Sequence, residues 1–471
     1  MARMMDFSAR SRASALFLFW LALATPAFAQ GAGASALSEA AIDALMSEAY
    51  PADGPGAAVI VARGGQPIYR KAIGMADLEL GVKLEPDMVF EIGSVTKQFT
   101  AAAVLMLVEE GKLALSDDIT RVLPDYPTHG KTITIEHLLT HTSGIKSYTG
   151  MASWAANDRR DMTVSDMIDV FKNEPLEFEP GSKWKYNNSG YFLLGAIIEK
   201  VSGLKYERFL ATRIFEPLGL RRTMYGHPDT IVPRRVRGYS LGPAGLANAK
   251  FISMTQPFSA GALLSNVDDL VRWSAALHGG KVVPPESLRR MRSAFALTNG
   301  RSSRYGYGLS VGEYEGHDVA EHGGGIPGFS CMLVHLPEDD LTVAVLSNLI
   351  AEPPRPPLLA RRIAALAIGK PVEQPARITV SPAALEPFVG TYENEQGERR
   401  VITRERATLL LKFPEDLPRE MHPSSQNAFF SPAGFGRLIF ERAADGAVTT
   451  VTYSNWTQRE TWRRVPKSPT S

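Results

Sequence analysis

Ser94 and Lys97 stand three residues apart in Phe90-Glu91-Ile92-Gly93-Ser94-Val95-Thr96-Lys97. The apolar run Ala101 to Val108 follows and ends at Glu109-Glu110-Gly111. That pattern predicts a helix apolar on nearly every side, hence buried, with Gly111 as its stop. Residues three apart on a helix share a face, so a Ser94 hydroxyl and a Lys97 amine meet there. A serine hydroxyl needs a base within hydrogen-bond reach to become a nucleophile. A lysine serves as that base once desolvation lowers its pKa.

The tetrad Ser-x-x-Lys also occurs at Ser143, Ser182 and Ser202, each beside a glycine in turn-like sequence. Only Ser94 opens a long apolar helix. Two further groupings lie downstream. Tyr186-x-Asn188 sits in the turn-rich stretch Glu179 to Tyr191, read as a loop leading into a helix from Phe192 that stops near Gly203. Tyr186 can share a proton with Ser94 and Lys97, and the Asn188 side chain can hold a substrate carbonyl. His322-Gly323-Gly324-Gly325 follows Tyr305-Gly306-Tyr307-Gly308, and its glycines let the backbone approach a ligand closely. His137 and His141, four apart, read as hydrogen-bonded structural residues. The glutamate beside them is misplaced for a zinc protease motif and no third ligand follows, so no metal and no other cofactor is expected.

The elements that must position these groups are legible in part. Ser38 to Tyr50 has the pattern of an amphipathic helix, with Ile42, Leu45 and Met46 on one face. Ala57–Arg63 and Pro67–Arg70 flank Gly64-Gly65 as a β-hairpin. Leu113 to Tyr126 reads as a loop with a short helix. Ser265 is the expected N-cap of a helix that follows it. Ser330–His335 and Leu341–Leu346 read as a second hairpin, and Leu358–Ile368 as a helix. From Pro371 to Pro382 the sequence has the character of a linker. Beyond it, short alternating segments at Glu398–Lys412, Arg437–Arg442 and Val448–Ser454 predict a small all-β module over residues 383–467.

Fifty-one Lys and Arg against fifty Asp and Glu give a formal charge of +1, which points away from nucleic acid as a partner. There is no phosphate-binding glycine loop and no repeat of solenoid length. Residues 1–29 read as a signal peptide. Arg3, Arg10 and Arg12 precede the apolar run Ala15–Ala24, and cleavage is expected after Ala29. The run is too short for a comfortable membrane span. Its removal takes away three Arg and one Asp and moves the charge from +1 to −1. An exported, periplasmic or secreted protein is therefore expected. Cys331 is the single cysteine, so no intramolecular disulfide forms, and its apolar surroundings mark it as a buried small hydrophobe.

Taken in order, Ser94-x-x-Lys97, Tyr186-x-Asn188 and His322-x-Gly324 resemble the penicillin-recognising serine hydrolases. The nearest branch comprises class C β-lactamases, serine D,D-carboxypeptidases, D-aminopeptidases and related esterases. Their flanks resemble the family too: Phe90 to Gly93, His137 to Gly144, Pro180-Gly181 and Tyr305 to Gly308. The likeness spans residues 38–370, and Val389 to Tyr392 resembles the lipocalin-like barrels appended to some of these enzymes. The resemblance implies an α/β (α+β) fold with a five-stranded antiparallel sheet flanked by helices, a helical lobe, and a small C-terminal all-β barrel. It implies Ser94 as nucleophile, Lys97 and Tyr186 as the proton-transfer pair, and Asn188, His322 and Gly324 as substrate-binding residues. The oxyanion hole would be the N–H groups of Ser94 and Gly325. A histidine replaces the lysine of class C β-lactamases in the third motif. It would give a weaker, pH-dependent attraction to a substrate carboxylate, lost near pH 6.5. The expected activity is acyl-enzyme hydrolysis of small peptides or amides, including those with D-residues. A carboxylesterase or weak β-lactamase on the same site is the alternative. A β-lactam-binding or sensory protein without turnover is the reading from another class.

Overall fold

The computed structural model describes residues 38–351, 355–373, 375–395, 397–413, 418–432 and 434–466. The expected signal peptide, residues 1–29, lies outside the described residues, as does the last residue of the expected module.

Among the described residues the first element is α1 (Glu39–Ala49), capped by the Ser38 side chain on the Ala41 amide. The hairpin β1 (Ala57–Arg63) and β2 (Gln66–Ile73) follows, turning on Gly64 and Gly65 at φ +58 and +70. Two adjacent positive φ values are what a two-residue hairpin turn demands. Next come α2 (Thr96–Glu109), α3 (Asn188–Ser202) and α4 (Val267–His278). Then β3 (Ser310–Tyr314), β4 (His317–Ile326), β5 (Phe329–Leu336) and β6 (Leu341–Ser347) lead to α5 (Arg355–Ala367).

These strands form one antiparallel sheet in the order β3-β4-β5-β6-β1-β2, six strands where five were expected. Successive side chains point to opposite faces. In β1, Val59 and Val61 join Ile42, Met46 and Ile363 of α1 and α5 on one side. Ala58, Ile60 and Ala62 join Phe99 of α2 and Trp273 of α4 on the other. With both faces covered, β1 and β6 read as continuous apolar runs.

α2 is the buried centre of the helical side, with Lys97, Phe99 and Ala101 to Leu105 all at zero or near-zero exposure. Its Phe99 ring stacks on Trp273 at 4.0 Å. Gly111 takes φ +68 just after its end. α3 ends on Gly203 at φ 72, as expected, but starts earlier than the sequence reading put it. The Asn187 side chain accepts from the Gly190 amide and caps it, so Asn188 lies in the first helical turn, not in a loop. The cap of α4 is likewise Asn266, whose side chain accepts from Asp269 N. Ser265, the expected cap, ends the strand Leu263–Ser265.

The C-terminal module is a closed barrel of eight strands, from Gly390–Glu393 to Arg459–Arg464. Its own apolar core includes Tyr392, Ile402, Leu411, Phe440 and Trp462. The barrel docks on the outer sheet strand. Trp456 donates to Glu321 Oε2 at 3.0 Å and stacks on Tyr314 at 4.2 Å. No helix among the described residues is long and apolar enough to cross a membrane.

Candidate active site

Ser94 lies in the tight turn Gly93–Val95 that leads into α2, and Lys97 is in the first turn of the helix itself. Lys97 is fully buried, and burial holds its ammonium well below the usual lysine pKa. Three oxygens surround Nζ: Asn188 Oδ1 at 2.8 Å, the Ala260 carbonyl at 2.7 Å and Ser94 Oγ at 3.1 Å. The first two can only accept, so they fix two amine hydrogens. A neutral amine then has its lone pair left for the third neighbour, the Ser94 hydroxyl, which can donate. In this arrangement a neutral Lys97 can accept the Ser94 proton. The other three tetrads lack it. Lys146, Lys185 and Lys205 form ion pairs with Glu174, Glu177 and Glu199 at 2.6, 2.8 and 3.6 Å.

Tyr186 closes the group. Its hydroxyl is hydrogen-bonded with Ser94, its ring lies 4.9 Å from Lys97 Nζ, and burial raises its pKa, so it enters as a neutral phenol. Asn188 turns its amide nitrogen to Thr149 Oγ1 at 3.2 Å and is half-buried, so the second amide hydrogen is free to face a ligand.

β4 brings its glycines against the start of α2. A Cβ on Gly324 would lie 2.1 Å from the Ile92 carbonyl and 2.5 Å from Cys331 Sγ. One on Gly93, at φ +48, would lie 2.9 Å from the Gly325 amide nitrogen. Only glycine permits this approach, and it sets the Gly325 amide beside the turn that carries the Ser94 amide. Amides that open a helix have no intrahelical acceptor, which suits them to an oxyanion. Cys331 is buried and its thiol donates to the Ile92 carbonyl at 3.0 Å, in keeping with a packing role.

His322 corrects one expectation. It is 5% exposed, with Nδ1 donating to the Gly323 carbonyl at 2.6 Å and Nε2 accepting from the Tyr305 hydroxyl at 2.8 Å. Burial, reinforced by Lys97, pushes its pKa down to about 3. The ring is neutral at physiological pH, so it offers a substrate carboxylate no charge that could be lost near 6.5. His137 and His141 are structural: His137 Nδ1 accepts from the Thr134 amide in a capping box, and His141 Nδ1 accepts from the Asn187 amide at 3.1 Å. No group of metal-binding side chains occurs among the described residues.

Several contributors were not singled out from sequence: the Ala260 carbonyl, Thr149 and the ring of Tyr191 all touch the group formed by Ser94, Lys97, Tyr186 and Asn188. His141, read from sequence as structural, also lays its ring 4.4 Å from that of Tyr186. Tyr305 carried a signal in its place in the Tyr-Gly-Tyr-Gly flank.

Sheet, helical lobe and a buried serine–lysine pair at a helix start together define a serine hydrolase of the acyl-enzyme type. The chain belongs to the Beta-lactamase family, whose sequence profile matches residues 42–368. It is 30% identical to penicillin-binding protein 4* of Bacillus subtilis, over 86% of this chain and 94% of that protein. It is 29% identical to a D-aminopeptidase of Gluconobacter oxydans, over 77% and 67%. A solved structure of an octameric penicillin-binding protein homologue from Pyrococcus abyssi matches 90% of this chain and 99% of its own at a TM-score of 0.64 and 26% identity.

Proposed function

We propose that the protein hydrolyses small peptides or amides, D-residues included, through an acyl-enzyme on Ser94. The observation that carries the reading is Lys97 Nζ, fully buried and held well below the usual lysine pKa by that burial, 3.1 Å from Ser94 Oγ. The D-aminopeptidase relative supports amide bonds as the target.

Ser94 Oγ attacks the substrate carbonyl carbon as its proton passes to Lys97 Nζ. The carbonyl oxygen becomes an oxyanion held by the Ser94 and Gly325 N–H groups. The C–N bond breaks, and the leaving amine takes its proton from Lys97, with Tyr186 completing the relay. Water then attacks the ester on Ser94, Lys97 accepts the water's proton, and the acid leaves as Oγ is reprotonated. Asn188 holds the substrate amide. His322 and Gly324 keep the β4 backbone in place beside it, His322 through Tyr305 and Gly323. The N-terminal sequence reads as an export signal, and on that reading the enzyme would meet these substrates outside the cytoplasm.

The test is a panel of D- and L-amino acid amides, short peptides, esters and a β-lactam, with Ser94→Ala as control. Turnover of amides ahead of esters supports the reading; esters turned over with amides inert sinks it. Relatives named penicillin-binding proteins favour one second reading, acylation by β-lactams without release. A fluorescent penicillin that stays on Ser94 for hours, with no amide turned over, would establish that instead.

A further inference from the structure

A second concavity adjoins the site. A cleft of about 1180 Å³ separates the sheet from the near end of the barrel. Its walls include Ser182 and Trp184, on the loop that carries Tyr186, and Arg304, next to Tyr305. The opposite wall includes Arg400 and Phe413 of the barrel. The cleft is thus continuous with the segments that frame Tyr186 and His322.

Arg400 lies on the strand Arg399–Glu405, where Arg400 and Ile402 are the buried alternates, so its side chain enters the barrel end. It is 9% exposed and lies over the rings of Phe413 and Trp462 at 5.0 and 5.5 Å. Its Nη1 donates to the Arg399 carbonyl at 3.1 Å and its Nη2 to Glu398 Oε2 at 3.3 Å. Its Nε has no partner among the described residues. Glu398 also pairs with Arg301, so one carboxylate faces two guanidiniums. An arginine cannot shed its proton to escape burial. A donor left unspent and a charge left half-compensated are both costly in such a place. The Trp184 indole N–H, on the other wall, is a second buried donor without a partner among the described residues.

Two unspent donors, in a cleft whose lining carries seven Lys and Arg against four Glu, call for an anionic acceptor. We propose that the cleft binds a carboxylate through Arg400, at the far end of an elongated substrate whose scissile amide lies at Ser94. A carboxylate matches the planar edge of a guanidinium and is the acid end that a peptide substrate carries. The identity of the ligand's other end rests on the hydrolase reading.

The experiment uses the full chain and paired amide substrates with one scissile group and a tail of varied length ending in either carboxylate or carboxamide. At one tail length the carboxylate should lower KM tenfold or more. Arg400→Met should abolish that difference while leaving kcat, the KM of the carboxamide twin and the rate of phosphonate labelling at Ser94 unchanged. Arg400→Lys should restore part of it. If Arg400→Met does not fold, Trp184→Phe serves, with a smaller KM rise confined to the carboxylate substrate. Calorimetric titration of glutarate into enzyme blocked at Ser94 reads the cleft without turnover, so failure of the hydrolase reading is told apart from failure of this one. Glutarate binding that vanishes in Arg400→Met, with no tail preference, keeps the carboxylate site and makes its ligand a separate small acid. Equal KM for both tails together with no glutarate binding overturns the proposal.

Discussion

Lys97 in the hydrolase site and Arg400 at the barrel end are both buried basic side chains set against aromatic rings. Lys97 is surrounded by a hydroxyl, an amide oxygen and a carbonyl. Arg400 shares a carboxylate. Lysine answers burial by giving up its proton and becoming a base, while arginine stays charged and keeps a demand for an anion. The same desolvation therefore makes a catalyst in one place and a receptor in the other, and side-chain chemistry decides which.

The comparison breaks at once if Lys97 serves no nucleophile. Ser94→Ala should abolish phosphonate labelling and reduce turnover to background with the circular dichroism spectrum intact. An adduct found by mass spectrometry on Ser143, Ser182 or Ser202 would defeat it. A finer test swaps the cations. Lys97→Arg fixes a proton where a base is needed and should cost on the order of 10²–10⁴ in kcat, the scale of general acid–base catalysis. Tyr186→Phe should cost a similar factor, and the double variant little more, because groups acting as one unit are non-additive. Fully multiplicative losses would mean that they act independently. In wild type, kcat/KM should rise with pH through the depressed Lys97 pKa, since protonation removes the base. A profile with no such limb would leave Lys97 as a fixed charge.

Ser94 and Lys97 could be read from sequence because the helix they open is apolar on almost every side. A C-terminal all-β module was legible from alternation, and both hairpins from apolar runs, the first broken at Gly64-Gly65. What escaped depended on partners far away in the chain. His322 is neutral because Tyr305 spends its Nε2 and the fold buries it, which no local pattern reports. Asn188 joined a helix because Asn187, not a later residue, supplied the cap. The barrel strands Arg419–Pro423 and Ala428–Phe430 are too short to alternate visibly. Arg400 looked like one of several charges on a strand until the barrel closed around it.

A third test concerns backbone approach. Gly324→Ala would drive a Cβ into the Ile92 carbonyl. It should lower kcat by up to about 10²–10³ through displacement of the Gly325 amide, the scale of losing one oxyanion donor. Unchanged kcat would remove Gly325 from the oxyanion hole.

The smallest effect extends the comparison to buried histidines. His335 stacks on His278 at 3.8 Å, and burial, aided by Arg292, pushes its pKa down to about 3. His278 is also held well below 6.5, by burial and then by His335 and Arg292. Between about pH 6.5 and 3 the unfolded chain therefore binds more protons than the native one, so stability falls as pH drops through that window. His335→Gln should flatten the slope by up to about 1.4 kcal/mol per pH unit, read by urea melts at several pH values. An unchanged slope would place the acid sensitivity elsewhere.

β3 is an outer strand, and the barrel turn at Thr457 sits so close that a Cβ on Gly312 would lie 2.6 Å from the Thr457 Cβ. A bare strand edge recruits other chains. Cutting the protein near Gly369 would therefore do more than drop a module: it would uncover a sticky edge one strand away from the glycines of the site. The shortened enzyme is expected to acylate normally when dilute and to clump as its concentration rises, so for this fold the barrel doubles as a built-in safeguard against aggregation.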